Sequence, residues 1–82
     1  MSDDNERLNS WFCREVLPCE PRLMRFIQRR WHLPEEAADI RQEIYERVLI
    51  GASRELPAQT EPYLFTIARN HLINRYRRPE EC

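Results

Sequence analysis

Two stretches of the chain are the most informative: AADIRQE at residues 37–43 and LFTIARN at residues 64–70. In each stretch apolar residues recur three or four positions apart, which is the spacing of one face of an α-helix. The polar positions fall on the other face, so both stretches predict amphipathic helices. Their polar groups are carboxylates, amides and guanidinium groups, which suit the binding of a protein and of a nucleic acid.

The length and composition favour one small all-α domain. The chain has 82 residues with one Gly and six Pro, and a domain of this size buries only about 60 to 65% of its unfolded surface. We therefore expect a single domain over residues 1–82, a bundle of three to four helices with flexible residues 1–4 and 79–82. A small core leaves little room for a catalytic cavity, and no nucleophile–base pair is persuasive, so we predict neither an enzyme nor a small-molecule substrate.

Residue types that hold metals, disulfides or membranes give no signal. The three cysteines, at positions 13, 19 and 82, form no CxxC pair, and neither histidine stands at metal-ligand spacing from them. No apolar run is long enough to span a membrane, and the first residues are acidic and polar. The sequence predicts a cytoplasmic protein with reduced thiols, without membrane insertion, metal or cofactor.

Proline and glycine mark where helices begin and end. The predicted helical segments cover residues 4–16, 21–31, 34–50 and 60–78. The sequence LPCEP at residues 17–21 should bend or interrupt the chain, because Pro lacks an amide donor and restricts the residue before it. Gly51 is predicted to end the third helix, and Thr60 to cap the last one after an irregular connection.

The charges are distributed unevenly along the chain. The formal net charge is −1, yet residues 1–61 carry nine Arg against twelve acids, and residues 62–82 carry four Arg against two acids. An acidic body with a basic last helix favours two different partners over one.

The third helix carries an acidic face opposite its predicted core side. The core side consists of Ala37, Ile40, Ile44 and Val48, and the acidic face of Asp39, Gln42, Glu43 and Glu46. Like charges four residues apart, as at Asp39 and Glu43, cost an isolated helix a few tenths of a kcal/mol per pair. The face is either an ordinary solvated surface or a surface kept for a partner protein that carries Arg or Lys.

The last helix has a predicted core side of Leu64, Phe65, Ala68, Leu72 and Tyr76, and an outer side of Tyr63, Thr66, Asn70, Asn74 and Arg77. Asn is a poor residue within a helix, and its amide suits the reading of base edges. Arg77 and Arg78 could contact phosphates, and Tyr63 could stack on a base. Two alternatives stay open: a hydrogen bond from Asn70 to the preceding loop, and compensation of the helix dipole by the arginines.

With both motifs in hand, the chain resembles region 2 of a bacterial RNA polymerase sigma factor of the extracytoplasmic-function (ECF) class. That family shows AEDLxQE in its third helix and LFxIARNxxIDxxRR in its fourth, and this chain has AADIRQE at residues 37–43 and LFTIARNHLINRYRR at residues 64–78. The resemblance extends from Trp11 to Arg78. The opening WF at residues 11–12 and EVLP at residues 15–18 resemble the iron-uptake-regulating subgroup.

The resemblance implies a partner for each helical face. In the family the third helix binds the β′ clamp coiled coil of core RNA polymerase, and Asp39, Gln42 and Glu43 match the positions of that contact. The fourth helix and the loop before it bind and melt the −10 promoter element, mainly its single-stranded non-template strand. By position this implies DNA contacts for Ser53, Arg54, Glu55, Arg69, Asn70, Asn74 and Arg77. An anti-sigma factor is a further implied partner.

The chain departs from the family pattern in three respects. Ala38 stands where the family usually has Glu, and Asn74 where it has Asp. A complete ECF factor also continues into a second helical domain that reads the −35 element, so we expect an isolated domain or a fragment. Two other hypotheses are a duplex DNA-binding module whose last helix enters the major groove, and a helical protein-interaction domain that binds no nucleic acid.

Overall fold

Helices make up most of the computed structural model, which describes residues 2–77, with side chains from residue 4 onward. The α-helices are α1 (Ser2–Trp11), α2 (Glu20–Arg30), α3 (Ala37–Arg54) and α4 (Thr60–Arg77). Within residues 2–77 no strand occurs, so the predicted all-α bundle is confirmed. Residues 2–4, expected to be flexible, lie in the first turn of α1, and residues 1 and 79–82 lie outside the described part. None of the described helices is both long and apolar enough to cross a membrane.

The junction between α1 and α2 stays helical but changes its pitch. Phe12–Val16 form a π-helical turn and Leu17–Cys19 a 3-10 turn. Pro18 has no amide hydrogen for the carbonyl four residues before it. The neighbouring amides bond instead at other spacings: Leu17 N–H donates to the carbonyl of Phe12, and Glu20 N–H to that of Leu17. The predicted interruption is therefore a looser turn followed by a tighter one.

α2 ends at an extended residue, and a proline starts the next helical segment. Trp31 has φ −108° and ψ 133°, and Leu33, directly before Pro34, is also extended, as the residue before a proline prefers. Pro34–Glu36 then form a 3-10 turn that leads into α3.

α3 is the central helix of the bundle and packs against α1, α2 and α4. Its core side, predicted from the sequence, is fully buried at Ile40, Ile44 and Val48. The other helices and the π-helical turn contribute further fully or almost fully buried residues, namely Val16, Leu23, Ile27, Leu64 and Ala68. Full burial of one such Leu, Ile or Val side chain contributes about 1.5–3 kcal/mol.

The prediction that α3 ends at Gly51 was wrong. α3 continues to Arg54, and Glu55 after it is extended, with φ −160° and ψ 123°. A Cβ atom at position 51 would collide with the hydroxyl of Tyr63. Gly51 therefore allows close approach of α4, which is a packing role that leaves the helix unbroken.

The core side of α4 is rotated from the prediction. Tyr76, predicted to be buried, is 76% exposed, whereas His71 is only 4% exposed. Phe65 is half-buried and meets Phe26 of α2 edge to face, with ring centroids 5.4 Å apart. The buried side of α4 is therefore centred on Leu64, Ala68 and His71.

Candidate protein-binding and nucleic-acid interfaces

An exposed face of α3 contains three of the four residues predicted to bind a protein. Asp39, Gln42 and Glu46 are exposed, and Ile50, one turn further, is 60% exposed. At about 100° per residue all four lie on the side opposite the buried Ile40 and Ile44; we call them the α3 outer face.

Glu43, the fourth predicted residue, points towards α4 instead. Its carboxylate lies 2.6 Å from Nε2 of His71 and accepts hydrogen bonds from Nη1 of Arg75 at 2.9 and 3.1 Å. The side chain remains 38% exposed. Its predicted place beside Asp39 on the open face was therefore wrong, although a part of it is accessible beside Glu46.

Buried His71 is held in one tautomer by its two neighbours. Nε of Arg47 donates to Nδ1 of His71 at 3.0 Å, and an arginine can only donate. Nδ1 must then carry the lone pair, so the proton sits on Nε2 and is donated to Glu43. These two hydrogen bonds fix the ring of a side chain whose role is not evident from the sequence.

Arg75 extends this network to the start of α3. Its guanidinium donates to Glu36 at 3.1 Å and lies 5.5 Å from the ring centroid of Trp31, whose Nε1–H also donates to Glu36 at 2.8 Å. Bonds from Trp31 and Arg75 lower the pKa of Glu36. Burial disfavours the charged form of Glu43, but His71 and Arg75 outweigh it and lower the pKa of Glu43.

The outer face of α4 presents polar and apolar groups together. All five of the predicted DNA-binding residues that it includes are exposed: Thr66, Arg69, Asn70, Asn74 and Arg77. Two large apolar side chains lie among them, Ile73 at 43% and Tyr76 at 76% exposure. We call these seven residues the α4 outer face. Within the described residues Asn70 makes no hydrogen bond to the segment before α4, which removes that alternative use of its amide. Arg78 lies outside the described residues.

Tyr63 does not belong to the α4 outer face, so that prediction was wrong. The residue is half-buried, its hydroxyl donates to the carbonyl of Val48 at 2.8 Å, and its ring meets Trp11 with centroids 6.5 Å apart. Burial raises the pKa of this phenol. Because the ring packs towards α1 and α3, it is not presented for stacking on a base.

The residues predicted to lie in the loop before α4 surround the end of α3. Ser53 and Arg54 occupy its last turn, Glu55 follows it, and all three are exposed. They line one side of a groove whose other side is Asp4, Arg7 and Leu8 of α1. Ser53 Oγ donates to the carbonyl of Ile50 at 2.7 Å. The residues predicted to contact DNA here therefore lie beside α1 as well as in the connecting segment.

Comparison with known proteins gives one finding. The family model described as Sigma-70 region 2 matches residues 16–80. No significant match was found among curated proteins or among solved structures. The matched range includes all of α2, α3 and α4, and therefore both outer faces.

Proposed function

Because the chain belongs to the sigma-70 region 2 family, we propose that it holds core RNA polymerase with the α3 outer face and the opened −10 strand with the α4 outer face. The family is one of transcription initiation factors that bind core polymerase and recognise the −10 element. Promoter melting, membership of the ECF class, control by an anti-sigma factor and a cytoplasmic location are parts of this proposal. One observation carries it: Gln42 and Asn70 are both exposed, on two faces that share no residue.

The α3 outer face has the composition of a protein-binding surface. Ile50 is an exposed apolar side chain one turn beyond Glu46, at the end of a row that begins with Asp39 and Gln42. Protein interfaces combine apolar and polar contacts, and the carboxylates of this face select a basic partner. We assign the β′ clamp coiled coil to this face, with Glu43 contributing only through its exposed part.

The α4 outer face has the groups that an unpaired strand needs. Asn70 and Asn74, one helical turn apart, can donate to and accept from base edges. Arg69 and Arg77 can contact phosphates. Base stacking, first predicted for Tyr63, is assigned to Tyr76, which is the more exposed aromatic ring on this helix.

A pull-down with core RNA polymerase tests the α3 assignment. Asp39→Ala should weaken binding at least about fivefold, as expected for an interface residue worth about 1 kcal/mol. Asp4→Ala removes the same charge from an exposed position on α1 and should bind as the wild type does. Equal binding by all three proteins, with unchanged helical content, would refute the assignment and favour a different protein-interaction role.

Strand preference tests the α4 assignment. The domain should bind a single-stranded non-template −10 oligonucleotide more tightly than the same sequence as duplex, because flipping a base from a duplex costs a few kcal/mol. Fluorescence anisotropy of both labelled forms at equal salt measures this difference. Tighter binding of the duplex would instead support a module that reads the major groove.

A further inference from the structure

A groove between α2 and α4 lies outside both outer faces and is lined by four arginines and two phenylalanines. Its lining consists of Arg22, Arg25, Phe26, Arg29, Arg30 and Phe65. The two phenylalanine rings meet edge to face and form its apolar floor. Arg30 lies 4.0 Å from the centroid of Phe26, and Arg22 lies 5.8 Å from that of Phe65. These cation–π contacts hold two guanidinium groups against the floor. We call this the arginine groove.

The stability of α2 accounts for only part of these charges, because Arg29 and Arg30 lie in its last turn, where the helix dipole favours a cation. Arg22 lies in the first turn, where the helix dipole disfavours a cation, and Arg25 lies three residues from Arg22 and four from Arg29, where like charges repel. Glu20, the one acid of α2, is used elsewhere, because it accepts hydrogen bonds from Arg41 and Tyr45.

The arginines of the groove differ in whether a carboxylate pairs with them. Arg22 is paired with Glu61 of α4, with Nη2 at 3.0 Å from Oε1. Arg25 and Arg29 are exposed and have no carboxylate within salt-bridge distance in the part of the chain that the structure describes. The groove therefore offers two free guanidinium forks to an anionic ligand.

The arginine groove is continuous with the α4 outer face. Phe65 forms part of its floor, and Arg69 follows four residues later, about one helical turn along α4. Arg69 is exposed and is a member of the α4 outer face. A single strand lying on Asn70 and Arg69 could thus continue past Phe65 towards Arg25 and Arg29.

We propose that the arginine groove binds backbone phosphates of the same single strand, on the stretch next to the one that the α4 outer face holds. This rests on the proposed function and adds a second, sequence-independent contact to it. Arginine forks suit phosphate oxygens, and the free charges of the groove, in the described residues, are all positive.

Anisotropy with a short and a long oligonucleotide tests this. A strand of about 5 nucleotides should occupy the α4 outer face alone, and one of about 14 should reach the groove. The double variant Arg25→Ala/Arg29→Ala should bind the short strand as the wild type does and the long strand more weakly. Losing two phosphate contacts should make the slope of log K against log salt concentration shallower by about 1.4. The ratio of wild-type to variant affinity for the long strand should therefore grow about sevenfold when the salt concentration is lowered from about 200 to about 50 mM.

Two controls separate this proposal from the proposed function. Arg25→Lys/Arg29→Lys keeps the charge and should recover most of the salt slope, and Arg14→Ala removes a charge on the π-helical turn and should change little. The proposal is overturned if the double alanine variant binds the long strand with wild-type affinity and slope, or if Arg14→Ala loses as much. In both cases the proposed function stands, whereas a wild type that binds neither strand removes both.

Discussion

Glu43 is the residue that ties the two functional helices together. It joins α3 to α4 through His71 at 2.6 Å and Arg75 at 2.9 Å. The imidazole is only 4% exposed, so the bond matters more to folding than an exposed ion pair would. The main role of Glu43 is therefore structural. Only the exposed part of its side chain, 38%, can contact a partner.

Glu43→Ala should lower the free energy of unfolding by about 1–2 kcal/mol near pH 7, because it leaves buried His71 without an acceptor while the exposed part of the pair is screened. The folded-state pKa of Glu43 lies below its ordinary value of 4.5. Its carboxylate thus stabilises the fold above pH 4.5, and this contribution is lost as the pH falls through the lowered pKa. Urea unfolding of both proteins from pH 7 to pH 3 measures the difference, which should shrink in acid. A difference that is constant or grows in acid would contradict this.

Between helices, the contact of Gly51 with Tyr63 sets the distance between the end of α3 and the start of α4. Gly51→Ala should gain up to about 1 kcal/mol of helix propensity. The added Cβ would displace the Tyr63 hydroxyl from Val48, so we expect a net loss of about 1 kcal/mol. In a Tyr63→Phe background the hydroxyl is gone, and the same change should be neutral or stabilising. Thermal unfolding of the four proteins gives this double-mutant cycle; additive effects would show that the contact is unimportant.

The helices themselves could be predicted because apolar residues recur at helical spacing, the chain has one Gly, and its six prolines mark helix boundaries. The rotation of α4 could not, because residue type alone favours a buried Tyr76 over a buried His71. His71 is buried only because Glu43 and Arg47, on another helix, satisfy both of its ring nitrogens. The same reason applies to Gly51, whose meaning depends on a tyrosine twelve residues later. Of the candidate sites, exposure was predicted well for Gln42, Asn70 and Asn74, and poorly for Glu43 and Tyr63, which contact neighbouring helices.

Across the bundle, the α3 outer face and the α4 outer face are separate surfaces on one shared core. α3 supplies the centre of the core with one side and the α3 outer face with the other. α4 is bonded to α3 through the hydrogen bond between His71 and Glu43, and its Asn70 and Asn74 are exposed. In the proposed function, the domain can then bind core RNA polymerase through the α3 outer face while the α4 outer face remains free to bind the −10 strand.

In the proposed function the two faces act independently, and a pair of affinities measured on matched variants tests this claim. Binding to a β′ clamp coiled-coil fragment and to a single-stranded −10 oligonucleotide is measured for Gln42→Ala and Asn70→Ala, with Gln28→Ala and Asn9→Ala as matched exposed controls. Gln42→Ala should lose about fivefold for the fragment alone, and Asn70→Ala about fivefold for the oligonucleotide alone. If either variant weakened the other ligand as much as its own, or if neither changed any affinity, the claim would be contradicted.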